Sequence, residues 1–189
     1  MKDVMIDIET LGNRKNSAIC QIGAVYFDRH TGELGEKFKV NIDVISAVKS
    51  GAEMDGDTVY WWLNQSDAAR QSILAEPRLP IEQAFTELNT FLSLHKVTAI
   101  WSHATFDFVT IMETYKRLDI KPVFSYKTAR DIRTLVDLAK IKIDGNRKRE
   151  GIHHDGLDDA IYQVKYCVEA FNQLNKLKAL SAILKPFIE

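Results

Sequence analysis

Two acidic residues close a run of apolar residues near the start of the chain. The stretch D-V-M-I-D-I-E places Asp7 and Glu9 two residues apart. Side chains alternate across a strand, so both carboxylates should enter one small region on the same face. Neighbouring carboxylates repel each other unless a cation lies between them, and a hard divalent cation prefers oxygen ligands of this kind. The alternative is that both acids are hydrated where the strand leaves the core.

A third acid stands at the boundary between another apolar segment and a predicted helix. Asp107 follows Phe106 directly after the stretch I-W-S-H-A-T, so it lies at or near the start of that helix. Its carboxylate either joins the acids of the first strand or caps its own helix. Aspartate is among the commonest residues at a helix N-cap, and this residue alone does not decide between the two roles.

A histidine and several acids open the last long helix. The stretch H-H-D-G-L-D-D-A-I-Y places His154 in the loop and Asp159 early in the helix. Acids at a helix start are also favoured by the helix dipole, which is the simpler explanation for them. Two adjacent histidines with no cysteine nearby make a poor zinc site. A loop histidine beside acids is better suited to act as a general base, since its ordinary pKa is about 6.5.

Three predicted strands must bring the first acids into position. Residues 3–9 are almost continuously apolar before the acids, as expected of a strand that is covered on both faces. Residues 18–28 and 35–42 predict two further strands, and the turn D-R-H-T-G between them favours an antiparallel hairpin. If the first strand is central, Asp7 and Glu9 lie at its carboxyl end, where open α/β sheets place their sites.

The rest of the chain has mainly helical periodicity. Ser66 is expected to cap the second of two short helices, Pro80 to open a longer helix, and Asp131 to cap another. The order of elements predicts an α/β fold with a mixed sheet and helices on both faces. The later segments are two short helices in 58–75, the helix from Pro80, a strand at 97–101, a helix at 106–118, a further short strand, the helix after Asp131, and a helix at about 157–176 followed by a short one.

Composition narrows the classes of function. The 189 residues suggest one domain, and the formal net charge of −1 argues against a protein that coats duplex nucleic acid by charge alone. No apolar run approaches the ~20 residues that span a bilayer, so no membrane partner is expected, and the N-terminus does not resemble a signal peptide. Cys20 and Cys167 lie in apolar segments and predict buried free thiols, which indicates a reducing, cytoplasmic location.

Three motifs, taken in order, resemble those of the DEDDh branch of the DnaQ-like 3′→5′ exonucleases. The stretches D-I-E-T, H-A-T-F-D-F and H-D-G-L-D-D-A supply Asp7, Glu9, Asp107, His154 and Asp159. His153 and Asp158 have the same spacing, but the family's pattern places the metal aspartate second in the D-D pair. The resemblance covers nearly the whole chain. It implies a ribonuclease-H-like mixed five-stranded sheet in a single exonuclease domain, residues 1–189.

The resemblance also implies a mechanism. Two magnesium or manganese ions would bind, ~3.5–4 Å apart as in other sites of this kind. Asp7 would bridge both ions. Glu9 and Asp159 would complete the shell of the first ion, and Asp107 would hold the waters of the second. His154 would accept a proton from the water that attacks the terminal phosphate. The products would be nucleoside 5′-monophosphates released from the 3′ end of single-stranded RNA or DNA.

Further residues are implied to contact the substrate. In this family the chain after D-x-E-T lines the pocket of the terminal nucleotide, where Leu11 either packs against the last base or is only a loop hydrophobe. Many relatives carry an asparagine shortly before the F-D aspartate, and this chain has His103 in that neighbourhood. The predicted substrate-binding residues are Thr10, Leu11, Gly12, Trp62, His103 and Phe106.

Two segments resemble a narrower branch of the family. The stretches W-W-L-N-Q-S-D-A-A-R and R-D-I-R-T are similar to a phage and bacterial group that contains a phage DNA exonuclease and an exoribonuclease that trims adenylate tails. Trp61 and Trp62 either pack in the core, or one of them stacks a base. Arg130 and Arg133 either hold a phosphate or pair with acids on a helix.

Several alternatives stay open. The basic run Arg147, Lys148 and Arg149 either steers the strand towards the site or forms a solvated loop. A phosphodiesterase for very short oligonucleotides would share the same motifs, and a non-catalytic binding module would bind nucleic acid in EDTA without turnover. The choice between RNA and DNA depends on contacts to the 2′-hydroxyl that the sequence does not identify. A homodimer is possible, since many relatives form one.

Overall fold

The chain folds around a six-stranded mixed sheet. The structure, a computed structural model, describes residues 1–143 and 148–184. The strands in chain order are β1 (Asp3–Thr10), β2 (Ile19–Phe27), β3 (Leu34–Ile42), β4 (Arg78–Leu79), β5 (Ala99–Ser102) and β6 (Ala129–Asp131). Their spatial order is β4-β3-β2-β1-β5-β6. Neighbours among β1, β2 and β3 run antiparallel, whereas β5 and β6 continue the sheet parallel to β1.

Helices cover both faces of this sheet. They are α1 (Val44–Lys49), α2 (Gly56–Leu63), α3 (Asp67–Leu74), α4 (Ile81–Leu92), α5 (Asp107–Arg117), α6 (Ile132–Leu138) and α7 (Gly156–Leu184), with a 3-10 turn at Tyr126–Thr128. Helices α4 and α5 pack on one face, and α6 and α7 pack on the other. The sheet therefore separates two apolar cores.

The pleat of β1 decides which core each of its residues enters. Val4, Ile6 and Ile8 are buried in the core beneath α4 and α5. Met5 enters the other core, against α6 and α7. Because side chains alternate along a strand, Asp7 shares the face of Met5 and lies under the start of α7. The alternation that builds the apolar cores thus also places the acids of β1 on the face of the sheet that α7 covers.

Helix α7 approaches the sheet closely at a pair of glycines. A β-carbon on Gly23 of β2 would lie 2.0 Å from the carbonyl carbon of Gly156, a distance that no real side chain tolerates. The Gly156 amide also donates a 2.6 Å hydrogen bond to Oε1 of the buried Gln21. The absence of a side chain at Gly23 therefore allows the first turn of α7 to lie directly on the strands.

The mixed α/β fold with helices on both faces is confirmed, but the expected number of five strands is wrong. The sixth strand, β4, contains only Arg78 and Leu79, which pair with Asn41 and Ile42. Two residues are too few to show the alternation by which a strand is predicted. Helix α1 is another element that the sequence analysis does not predict. Asp43 caps this helix by accepting hydrogen bonds from two backbone amides.

The last helix differs from the expectation as well. The sequence predicts a helix at about 157–176 followed by a separate short one, whereas α7 runs without a break for 29 residues. No glycine or proline interrupts residues 157–184, so nothing in the local sequence ends the helix earlier.

The remaining expectations concern the thiols and the membrane. Cys20 and Cys167 are both buried and free, as predicted. Burial raises the pKa of Cys167 to about 12, so that thiol stays protonated at neutral pH. Among the described residues, no helix combines the length and the apolar character that crossing a bilayer requires.

Candidate active site

A cavity of about 520 Å³ opens at the carboxyl ends of β1 and β5. Strand β1, the turn before α5 and the start of α7 form its walls. This position, beside the carboxyl ends of parallel strands, is where open α/β sheets place their sites. All of the predicted catalytic residues line it, namely Asp7, Glu9, Asp107, His154 and Asp159.

Asp7 is the central member of the acidic residues. Ligand atoms of Asp7, Glu9 and Asp159 lie within 4.8 Å of one another. The same limit joins Asp7 with His103 and Asp107. Asp7 is the residue that these two groups share, so its carboxylate can reach a cation in either of them.

Burial and mutual repulsion make the charged forms of these carboxylates costly. Burial, followed by the charges of Asp107 and Glu9, raises the pKa of Asp7 well above its ordinary value. Burial and then the charge of Asp107 raise the pKa of Glu9 to about 8. Burial also raises the pKa of Asp107 to about 7. Clusters of buried acids with raised pKa values are typical of functional sites.

The donor set fits a hard divalent cation. Carboxylate oxygens are the ligands that Mg²⁺ and Mn²⁺ prefer, and a cation among them would offset the repulsion. Gln163 provides independent support, because its Nε2 donates a 2.6 Å hydrogen bond to Oδ1 of Asp7. Its buried Oε1 has no hydrogen-bond partner among the described residues and can accept one from a water that a cation holds.

The position of Asp107 contradicts the capping alternative. The N-cap of α5 is Phe106, whose side chain makes no capping bond, and Asp107 is the first helical residue. Its Oδ2 instead accepts a 2.8 Å hydrogen bond from the backbone amide of His103, before the helix. The carboxylate of Asp107 is therefore turned back towards the end of β5 and into the cavity.

A buried polar network fixes the start of α7. The amides of Leu157 and Asp158 donate to Oδ1 of Asp155, at 3.2 and 3.1 Å, so Asp155 caps the helix. Its Oδ2 accepts hydrogen bonds from the Lys39 ammonium on β3 and the Ser72 hydroxyl on α3. Asp155 is almost fully buried, and the paired Lys39 compensates its charge. The loop that carries His154 is thus tied to two other elements.

The geometry also separates the two candidate acids of α7. Oδ2 of Asp158 accepts a 2.7 Å hydrogen bond from the Ile152 amide, and Asp158 does not line the cavity. Asp159 does line it, with a carboxylate oxygen close to those of Asp7 and Glu9. The structure therefore favours Asp159 as the metal ligand of the pair.

His154 lies among aromatic rings at the rim of the acidic residues. The His153 ring stacks on it with 3.8 Å between centroids, and Trp61 meets it edge-on at 4.7 Å. Burial, followed by the charges of His153 and Arg149, lowers the pKa of His154 to about 4. Its ring is neutral at neutral pH, and a neutral imidazole has a nitrogen that can accept a proton.

The predicted substrate-binding residues separate into two sets. Leu11 and Gly12 do not line the cavity, so their contact with the terminal nucleotide stays a prediction. Leu11 is held in its own loop by backbone hydrogen bonds to Ala18 and Asp55, and Gly12 borders a separate pocket of about 150 Å³. The residues that do line the cavity are Thr10, Trp62, His103 and Phe106.

The two tryptophans have different environments. Trp62 is 4% exposed, and its Nε1 donates a 2.9 Å hydrogen bond to the carbonyl of Thr10. Trp61 is 43% exposed and lines the cavity beside His154. Trp62 therefore combines core packing with a small contribution to the cavity wall, whereas Trp61 presents a ring that a ligand can reach.

Sequence reasoning missed Gln163 altogether. It lies four residues after Asp159 on α7, so both side chains project from the same face of the helix. This i, i+4 spacing is the signal that could have found it. A polar residue one turn beyond a carboxylate of the cavity, on an otherwise apolar face, is well placed to orient another of these carboxylates.

The basic residues near the site have different surroundings. Arg149 is paired with Asp159 and lies 4.6 Å from the centre of the Tyr162 ring. Arg133 lines the cavity, and its charge acts on Asp107 and His103. Lys148 is exposed and does not line the cavity, and the predicted role of Arg147 falls outside the described residues.

The fold and the acidic cavity together define a class of protein, the DEDDh-type nucleases with a ribonuclease-H-like sheet. Within that class, the chain belongs to the family of the 3′-5′ exoribonuclease Rv2179c-like domain, whose sequence model matches residues 2–171. The chain is therefore a 3′→5′ exonuclease, a hydrolase of nucleic acids.

Known proteins of similar sequence and fold agree with this class. The exodeoxyribonuclease of Enterobacteria phage T4 is 24% identical over 208 residues, with 89% of both chains covered. The nuclease domain of 3'hExo, a DEDDh family member bound to rAMP, superposes with a TM-score of 0.60 at 13% identity, covering 90% of this chain and 91% of that one. An E. coli ExoI–ssDNA complex gives 0.57 at 15% identity, covering 93% and 40%.

Proposed function

We propose that this protein removes nucleotides one at a time from the 3′ end of single-stranded nucleic acid and releases nucleoside 5′-monophosphates. Two Mg²⁺ or Mn²⁺ ions would be held by Asp7, Glu9, Asp107 and Asp159. The observation that carries the proposal is the position of Asp7, which is shared by two groups of potential ligand atoms. A carboxylate in that position would be within reach of a cation in either group, and the cations would supply Lewis-acid chemistry there.

Close distances connect the groups of the site one after another, and this order suggests their roles. Close neighbours run from His154 to Asp159, from Asp159 to Asp7, and from Asp7 to Asp107. When bound, the cations supply charge stabilisation and a water of lowered pKa. His154 accepts the proton of the attacking water at one end of this line. As the water oxygen bonds to phosphorus, the bond from phosphorus to the 3′-oxygen breaks at the end of Asp107, and the 3′-oxygen takes up a proton from solvent.

The rim of the cavity suits an unpaired strand. The ring of Trp61 is exposed next to His154, where it can stack on a base. Stacking of this kind requires a base that is free of its partner, and it tolerates every sequence because each base has a π-face. The family's description names RNA and the phage relative's name refers to DNA, so both sugars are candidate substrates.

The decisive experiment uses 5′-labelled single-stranded RNA and DNA of one sequence, in Mg²⁺, Mn²⁺ or EDTA. We expect a ladder that shortens by one nucleotide at a time from the 3′ end, with nucleoside 5′-monophosphates as products. EDTA should abolish it, and Asp7→Ala should lower the rate by at least about a thousandfold, because it removes the shared ligand.

The control is Glu82→Gln, which alters an exposed acid on α4 and should leave the rate unchanged. Internal cleavage products, or a rate that persists in EDTA, would contradict the proposal. A length series extends the assay to dinucleotides. Turnover of only the shortest species would replace the proposal with a phosphodiesterase for short oligonucleotides.

A further inference from the structure

Arg133 occupies a fixed position beside the acidic cavity. It lies in the first turn of α6, where Oδ2 of Asp131 accepts a 2.8 Å hydrogen bond from the Thr134 amide. Oδ1 of Asp131 accepts a second one, at 3.2 Å, from the amide of Ala104 in the turn that leads to Asp107. The start of α6 is thus tied to the start of α5, which holds Arg133 on the Asp107 side of the cavity.

The guanidinium of Arg133 is available to a ligand. Its side chain is exposed and lines the cavity, and no acid among the described residues pairs with it. Its charge acts on two groups of the site: it opposes the rise that burial causes in the pKa of Asp107, and it adds to the lowering that burial causes in the pKa of His103. Arg149, by contrast, is already paired with Asp159.

Arg130 provides a natural comparison on the same segment. It is also exposed, but its Nη1 donates to the backbone carbonyls of Lys127 and Ala129, at 2.9 and 2.7 Å. It does not line the cavity. Of the two arginines in the stretch R-D-I-R-T, only Arg133 is directed at the site.

The charge balance of the cavity suits Arg133 to binding an anionic ligand. Two divalent cations would neutralise the four carboxylates of Asp7, Glu9, Asp107 and Asp159. The charge of Arg133 would then be uncompensated, as would that of Arg149, whose partner Asp159 is among the four, and both would face a polyanionic strand. A guanidinium binds a phosphate through two parallel hydrogen bonds, so it is well matched to this ligand.

The side on which Arg133 lies indicates which phosphate it binds. Under the proposed function, attack starts on the His154 side and the leaving 3′-oxygen emerges on the Asp107 side. The nucleotide that keeps this oxygen, and the phosphate on its 5′ side, must therefore continue past Asp107 towards α6. We propose that Arg133 binds this phosphodiester group, the first one on the 5′ side of the scissile bond. This inference rests on the proposed function.

The first test compares substrates that contain or lack this phosphate. A trinucleotide has it, whereas a dinucleotide without a 5′-phosphate has only the scissile group. Arg133→Gln should lower kcat/KM about tenfold for the trinucleotide, mainly by raising KM, and far less for the dinucleotide. Adding a 5′-phosphate to the dinucleotide should restore the sensitivity to Arg133. Arg133→Lys should recover part of the loss.

The second test does not depend on dinucleotide turnover. A longer strand carries one neutral methylphosphonate at the linkage on the 5′ side of the scissile bond. The unmodified protein should remove the first 3′ nucleotide of this strand about tenfold more slowly, whereas Arg133→Gln should remove it no more slowly than from the normal strand. Non-additivity of this kind identifies a direct interaction. Arg133→Gln should also reduce the salt dependence of kcat/KM by about 0.7 in the log–log slope.

Arg130→Gln is the matched control and should leave all of these values unchanged. Equal losses on the dinucleotide and the trinucleotide, or additive effects of Arg133→Gln and the methylphosphonate, would overturn the inference while the exonuclease reaction stands. If the unmodified protein shortens no strand at all, the proposed function itself fails. The two failures are therefore distinguishable.

Discussion

At the scale of single residues, the environment of Asp7 explains how a buried carboxylate, whose ionised form costs stability, is held in position. Asp7 is buried beside Glu9 and Asp107, and its pKa is raised by burial and by their charges. Gln163 provides a hydrogen bond to Oδ1, which partly offsets the cost and fixes the rotamer of the carboxylate. Residues that orient metal ligands in this way contribute to affinity and rate without touching the substrate.

We expect Gln163→Leu to lower the affinity for Mg²⁺ and kcat by about tenfold, with little change in KM for the strand. The leucine keeps the volume but removes the donor that orients Asp7. Activity measured over a range of Mg²⁺ concentrations gives the affinity and the rate together. Gln83→Leu, an exposed glutamine of α4, serves as the control. Unchanged Mg²⁺ dependence in Gln163→Leu would show that Asp7 needs no such partner.

At the scale of elements, the docking of α7 positions one half of the site. Helix α7 supplies Asp159 and Gln163, and its preceding loop supplies His154. The helix rests on the sheet through the contact between Gly23 and Gly156 and the hydrogen bond from the Gly156 amide to Gln21. The distance from Asp159 to Asp7 is therefore set by how closely the first turn of α7 approaches β2.

Gly23→Ala should displace this turn and separate Asp159 from Asp7. A β-carbon there meets backbone atoms, which cannot move aside as a flexible side chain can. We expect a loss of about 2–3 kcal/mol in the free energy of unfolding and a fall of more than about a hundredfold in kcat. Chemical denaturation and single-turnover assays measure the two effects.

Gly56→Ala is the matched control for this prediction. A β-carbon at Gly56, the first residue of α2, would have no atom within 4 Å. It should leave the rate unchanged and keep or slightly raise stability, because alanine restricts the unfolded chain. If Gly23→Ala behaves like Gly56→Ala, the close approach of α7 to β2 does not set the geometry of the site.

At the scale of the whole molecule, the sheet carries two apolar cores, which stabilise the folded state, and one acidic cavity, which destabilises it. The cores stabilise the chain by burying apolar residues on both faces of the sheet. The cavity costs stability, because several carboxylates must be ionised in a buried position before they bind a cation.

The single-domain organisation, the homodimer and the cytoplasmic location stay predictions at this scale. Analytical ultracentrifugation tests the homodimer.

The stability of the metal-free protein should fall as pH rises from about 4 to about 8. The pKa of Glu9 is raised to about 8 and that of Asp107 to about 7, whereas unfolded carboxyl groups titrate near 4. The folded state therefore binds more protons than the unfolded state across this window, and the free energy of unfolding decreases with pH. Below this window the penalty disappears, because the carboxyl groups are protonated in both states.

Thermal unfolding in EDTA at pH 5 and pH 8 tests this expectation. We expect Tm to be lower at pH 8 by at least about 4 °C, which corresponds to roughly 1–2 kcal/mol in a chain of this size. Mg²⁺ should raise Tm more at pH 8 than at pH 5, since it binds the ionised carboxylates. Glu9→Gln should reduce the pH dependence in EDTA. An equal pH dependence in that variant would contradict the assignment to the acidic cavity.

The sequence alone determined the type of fold and the acidic residues of the three motifs. Apolar periodicity identified the three long strands and most of the helices, because burial on one or both faces leaves a repeating pattern. The spacing of Asp7 and Glu9 predicted their common face for the same reason. The structure agrees with both expectations.

Only the tertiary structure decided which further residues line the cavity beside those of the three motifs. It brought Gln163 and Arg133 to the acids and left Leu11 and Gly12 out, although these two directly follow the first motif. It also showed that Trp61, and not Trp62, has the accessible ring. These outcomes depend on how α6 and α7 dock on the sheet, which involves contacts between residues far apart in the chain. Local patterns record the face that an element buries, but not its distance from other elements, and so they could not settle the geometry of the site.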